Sequence, residues 1–187
     1  MRCLSLPVAG LALLALSSAL HGQPARPDAL VVAEDGDRFV LSVPVSRLTL
    51  SLPKEGFKQS TSMSGGATTS ARYFLFENRA GNTFVSGWFE SASEFRGLEK
   101  FWEQEMAAWP KTGLQKPEEV SFKKLGGWQA VVYFVPVPSG SYPNIRAHWL
   151  QAGTWIDVHL SCLSGLPREE AYARLLAVLE TFRVTQR

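Results

Sequence analysis

Three hairpins restrict what this chain can fold into more than any other feature does. Ala71 to Asn78 and Thr83 to Phe89 flank the turn Arg79-Ala80-Gly81-Asn82, and Val120 to Leu125 and Trp128 to Pro136 flank Gly126-Gly127. Asn144 to Gln151 and Thr154 to Cys162 flank Ala152-Gly153. Short apolar-rich runs on either side of Gly- and Asn-containing turns pair antiparallel, because a tight turn reverses the chain. Tyr73 to Phe76 and Ala130 to Val135 are apolar almost throughout, as central strands covered on both faces are. Upstream, Phe39 to Val43 makes a short strand, and Arg47 to Leu52 alternates with Leu48, Leu50 and Leu52 on one face.

Two stretches carry helical spacing instead. Ser91 and Glu94 form a capping box ahead of Phe95, Leu98, Phe101, Trp102, Met106 and Trp109, and Pro110 ends that helix. Pro167 suits a first helical turn, and Glu169 and Glu170 favour its positive end. Ala171, Leu175, Val178, Leu179 and Phe182 follow as an apolar stripe. The expected fold is α+β: a single antiparallel sheet of about seven strands, flanked by two main amphipathic helices. Residues 58 to 70 are polar and glycine-containing, which makes them a loop. Its Ser64-Gly65-Gly66 resembles an anion nest but lacks the following lysine of a phosphate loop.

The start of the chain reads as an export signal. Arg2 precedes the apolar run Leu11 to Leu16, and small residues lead into a polar stretch near Gln23. The run is too short to span a bilayer, which needs about 20 apolar residues. Cleavage after Gly22 and cleavage after Ala25 both fit. The expected division is a signal peptide over 1–22, a flexible lead-in over 23–37 and one domain over 38–187. Localisation is then periplasmic or secreted, with no transmembrane segment in the mature chain. Cys3 leaves with the leader and Cys162 remains alone, in the setting of a buried strand residue. Losing Arg2 from 19 basic residues leaves 18 against 17 acidic ones. A balanced chain with scattered basic residues has no field to gather nucleic acid, despite six tryptophans.

The last hairpin holds the residues with most chemistry. If Ala152-Gly153 are its two turn residues, His148 lies opposite Asp157 and Arg146 opposite His159, all four on one face with Trp155. Ala147, Trp149, Ile156, Val158, Leu160 and Cys162 take the other face. Three readings of the polar face stand. The first is solvated cross-strand pairs, each worth well under about 1 kcal/mol. The second is a binding surface made of Arg146, His148, Trp155, Asp157 and His159. The third is a hydrolase site in which Asp157 orients His148 as a base. No nucleophile can be placed beside that pair, and two histidines with one aspartate fall short of a catalytic zinc site. No H-E-x-x-H, C-x-x-C, G-x-S-x-G or G-x-G-x-x-G motif occurs. No cofactor or metal is expected.

The order of elements and one short signature resemble a known superfamily. A Leu-rich strand ending in Leu52-Pro53, followed by Gly56-Phe57, resembles the opening of the Mog1/PsbP-like superfamily. The likeness extends to a closing strand that runs into a last helix, and it spans residues 38 to 185. Its bacterial envelope members, the DcrB-like proteins among them, also carry a leader. The resemblance implies a sheet flanked by helices, structural roles for Leu52, Pro53, Gly56 and Phe57, and a non-enzymatic accessory role. The function expected is an exported, non-catalytic interaction module of the bacterial envelope, with a protein partner there. The alternative is a periplasmic domain holding a small apolar ligand or lipid between helix and sheet.

Overall fold

A computed structural model of the chain describes residues 28–60, 72–138 and 140–187. The leader, the Ser64-Gly65-Gly66 segment and most of the 58–70 loop lie outside the described residues. In chain order the elements are β1 (Val31–Asp35), β2 (Arg38–Ser42), β3 (Leu48–Pro53), β4 (Lys58–Gln59), β5 (Tyr73–Asn78) and β6 (Thr83–Ser91). Helix α1 (Leu98–Ala108) follows, then β7 (Glu118–Leu125), β8 (Trp128–Val137), β9 (Gly140–Gln151) and β10 (Thr154–Cys162). Helix α2 (Arg168–Glu180) and β11 (Arg183–Gln186) close the chain.

The hairpins assemble a seven-stranded antiparallel sheet in the order β4-β5-β6-β10-β9-β8-β7. With the two helices, this is the α+β arrangement that the sequence pattern implies. The Leu-rich strands do not join that sheet. They form a second one of four strands, β1-β2-β3-β11, with β1 and β11 at its edges. β1 lies within 23–37, where Val32 packs against the core.

The two faces of the seven-stranded sheet carry different covers. Leu41, Leu48, Leu50 and Leu52 from the small sheet meet Phe74, Phe76, Val85, Ala130, Ile145, Val158 and Leu160 on the inner face. Ala171, Leu175 and Leu179 of α2 seal the same core. Leu52 and Phe57, two of the signature residues, are buried in it, and Gly56 turns the chain at a φ of 72°. Cys162 is buried there too. Gly87 of β6 has no room for a side chain beside β10: a Cβ there would sit 2.0 Å from the Asp157 carbonyl oxygen. On the outer face, Val131, Tyr133 and Val135 of β8 pack against Phe101, with Leu98, Trp102 and Trp109 around them.

Helix α1 starts later than the sequence suggests. Ser91 accepts from the Ser93 amide and caps only a single 3-10 turn, Ala92–Glu94. Gly97, at a φ of 96°, then redirects the chain before Leu98. That backbone conformation is open to glycine and costly for other residues, so the break falls between the apparent cap and the helix.

Candidate functional site

The β9–β10 turn fixes the register of the polar cluster. Ala152 (φ 49°) and Gly153 (φ 77°) are the two loop residues, as a type I′ hairpin turn requires. Asp157 pairs with His148 and His159 with Arg146. Alternation then brings Arg146, His148, Trp155, Asp157 and His159 to the outer face, as the sequence places them. Their surroundings differ from the solvated pairs of that reading. His148 has no exposed surface, Asp157 is 4% exposed and Arg146 8%. Helix α1 and the turn before it cover the row. Phe101 meets the His148 ring at 4.3 Å between centroids, and Phe95 at 5.3 Å. Trp155 closes the same cluster from β10 and stays half-buried.

Burial makes the polar contacts strong and the gaps in them significant. The Arg146 Nη2 donates to Asp157 Oδ2 at 2.5 Å, and Nη1 donates to Glu105 of α1 at 3.4 Å. The Trp155 indole donates to His148 Nδ1 at 3.1 Å. An indole N–H only donates, so the imidazole proton lies on Nε2. Asp157 Oδ1 stands 3.5 Å from the same Nδ1 and receives no proton from it. Arg146 Nε, His148 Nε2 and Asp157 Oδ1 are all buried without a hydrogen-bond partner among the described residues. His159 is half-buried, with Nε2 near Asn144 Oδ1 at 3.0 Å and the Tyr133 hydroxyl at 3.3 Å.

The charges follow from these contacts. Burial and then the Arg146 guanidinium push His148 down to about 3, so it is neutral at ordinary pH. His159 is pushed the same way by the same causes. Burial also opposes the charge on Arg146, but Asp157 and Glu105 outweigh it and hold the guanidinium above its ordinary value. Burial pushes the Asp157 carboxyl up while Arg146 pulls it back. Neutral His148, sealed from solvent with Nδ1 taken by Trp155, is poorly placed to act as a base toward any substrate.

Beside this cluster a cavity of about 790 Å³ opens between α1 and strands β6 and β10. Trp88, Phe101 and Trp155 form its apolar walls, Arg146 and Asp157 reach it from the sheet, and Glu90, Glu94, Glu105 and Arg96 also line it. His148 and His159 do not line it. Sequence reasoning singled out Trp155, Arg146 and Asp157 and missed the rest. Trp88 shares their face and sits opposite Asp157 across β6–β10, so strand alternation held that signal. The helix residues had none, since nothing local says which row a helix will cover. A second cavity, of about 510 Å³, lies between α2 and the β7–β8 turn; Leu125, Trp128, Trp149, Leu176, Leu179 and Phe182 form its apolar lining. Among the described residues, no group of three or more His, Cys, Asp and Glu is placed to hold a metal ion, and no helix is long and apolar enough to cross a membrane.

No protein-family model matches the chain. No curated protein matches it either. Among solved structures, the solution structure of cyanobacterial PsbP (CyanoP) from Synechocystis sp. PCC 6803 superposes with a TM-score of 0.51 at 14% identity. The match covers 91% of this chain and 99% of that one. The fold is of the PsbP type. A crystal structure from Bacteroides thetaiotaomicron VPI-5482 gives a TM-score of 0.44 at 12% identity, over 75% of this chain and 46% of that one.

Proposed function

We propose that this protein is an exported, non-catalytic accessory module of the bacterial envelope that binds a protein partner through the groove beside α1. The observation that carries this reading is the state of the one reactive-looking set. His148 is sealed beneath Phe95, Phe101 and Trp155, while the charged and aromatic side chains around it open onto a cavity. A hydrolase built on His148 and Asp157 needs a base that can reach a substrate, and this one is enclosed. Within the groove, Trp155, Arg146 and Asp157 contribute directly, and His148 beneath them accepts from the Trp155 indole. The PsbP-type fold and the leader-like start agree with this role, in the periplasm or outside the cell.

In-cell photocrosslinking of the processed protein tests it, with the probe at Arg96 or Gln104 on the groove and at Thr185 on β11 as the control. A reproducible stoichiometric partner captured from the groove positions alone is the expected result. Equal capture from Thr185, or none from the groove, removes this reading. The apolar cavity beneath α2 favours a second reading, in which a small apolar ligand or lipid is held between helix and sheet. Native mass spectrometry showing a retained small molecule, lost on Leu176→Asp, would move the function there.

A further inference from the structure

The large sheet ends on one side in β4, only two residues long, and on the other in β7, which runs eight. Among the described residues β7 pairs with β8 alone, so the backbone groups of its far edge have no hydrogen-bond partner there. Such an edge is a template for another strand unless it is guarded. Here a bulge between Glu118 and Ser121 interrupts its start, and Lys123 and Lys124 load its end with positive charge. Apolar surface lies between and beside these guards. Phe122 is 48% exposed, and Leu114, 53% exposed, sits in the loop that enters β7.

The order of residues along β7 decides which strand fits. In Glu118-Glu119-Val120-Ser121-Phe122-Lys123-Lys124 the charges at one end complement those at the other. A parallel copy in register would set lysine against lysine, and like charges directly opposite are destabilising. An antiparallel copy centred on Ser121 instead sets the acidic end of each strand against the basic end of the other, and Val120 against Phe122. The lysines that repel an indiscriminate strand thereby select one that opposes them with carboxylates. A two-fold axis normal to the sheet gives this pairing and keeps like faces together. The faces agree. Val120 packs into the Phe101 cluster and Phe122 pairs with Val131 of that cluster, so both belong to the α1 side. Glu119 and Lys123 reach α2 on the other side: Glu119 is ion-paired with Arg168, and Lys123 Nζ lies 3.4 Å from the Tyr172 hydroxyl. Arg168 offsets only part of the acidic end. Among the described residues Glu118 has no cation of its own chain, and Lys123 and Lys124 have no carboxylate. We propose that β7 is a self-association edge, on which a second copy of this chain adds its own β7 antiparallel and joins the two large sheets into one. The other long edge lacks this symmetry, since β1 carries Glu34 and Asp35 with no basic residue. The groove beside α1 lies at β6 and β10, with β9 and β8 between it and this edge, so pairing at β7 leaves it clear.

Sedimentation of the processed full chain tests this, followed up to about 0.5 mM so that weak association registers. A monomer–dimer equilibrium is expected. Lys123→Glu with Lys124→Glu puts acid against acid, and Glu118→Lys with Glu119→Lys puts base against base. Each double change should weaken self-association by about tenfold or more, because the two-fold axis repeats every altered contact. All four side chains are exposed, so the fold survives the changes. An equimolar mixture of the two variants should restore association as a heterodimer, which two merely damaged strands would not do. A monomer at every concentration overturns the proposal and leaves the edge to a strand of another protein. A dimer indifferent to both double changes overturns it as well, as do variants that fail to rescue one another.

Discussion

At the scale of single residues, His148 and the Arg146–Asp157 pair are where charge and packing conflict. His148 is neutral in the fold, held down to about 3, but titrates near 6.5 once unfolded. Between those values the unfolded chain binds more protons than the folded one, so stability rises with pH through that window and is lost as pH falls. By pH 5 the loss from His148 alone is about 2 kcal/mol, taking 1.36 kcal/mol per pKa unit. His159 is lowered in the same sense and adds to the loss, while Asp157, pushed up, acts in the opposite sense at the acid end. Urea unfolding at pH 7.5 and pH 5 measures this, and His148→Gln is expected to flatten the difference; an unchanged slope would place the acid sensitivity elsewhere. The ion pair beside it responds most to truncation. Arg146→Met leaves the Asp157 carboxylate buried and alone, which costs about 3–5 kcal/mol. Adding Asp157→Leu should recover most of that loss, and urea midpoints of the two variants report whether it does.

At the scale of elements, α1 is held more loosely than the strands beneath it. Phe101 is its one buried residue, whereas α2 buries Ala171, Leu175 and Leu179. Phe101→Ala is therefore expected to release α1 as a unit, at about 3–5 kcal/mol for a buried phenylalanine. Hydrogen exchange should then show α1 amides losing protection while β8, β9 and β10 keep theirs; loss across the whole sheet would show that the helix is integral to it. The same contrast explains what the amino-acid pattern disclosed. The register of β9 and β10 was legible to the residue, because a two-residue turn at Ala152-Gly153 and strict alternation leave no freedom. The burial of that polar row was not, since a helix some forty residues away supplies the cover. Ser91 and Glu94 mimicked a helix start because a capping box has the same residues whether a helix or a single 3-10 turn follows. β1 and β11 escaped notice as short edge strands with little alternation, one rich in acidic residues and the other continuous with a helix.

At the scale of the whole molecule, the question is whether two sheets make one cooperative unit. The small sheet reaches Leu41, Leu48, Leu50 and Leu52 into the same core as Phe74, Phe76, Val158 and Leu160, and α2 closes it. β11 ties the end of the chain back to β3, and Arg187 donates to the carbonyls of Val43 and Ser46. Neither sheet can keep its inner face dry without the other, so an intermediate with one sheet formed would expose a large apolar surface. Leu50 lies at the centre of this contact with no exposed area. Leu50→Ala is thus expected to cost about 2–5 kcal/mol and to lower the unfolding midpoint seen by far-UV circular dichroism and by tryptophan fluorescence equally. The probes are well placed for the comparison. Trp88, Trp128, Trp149 and Trp155 all sit on the large sheet, whereas the substitution is in the small one. Two separated transitions would mean that the small sheet unfolds alone. The groove beside α1, carried on the opposite face, would then keep its shape after half the core had opened.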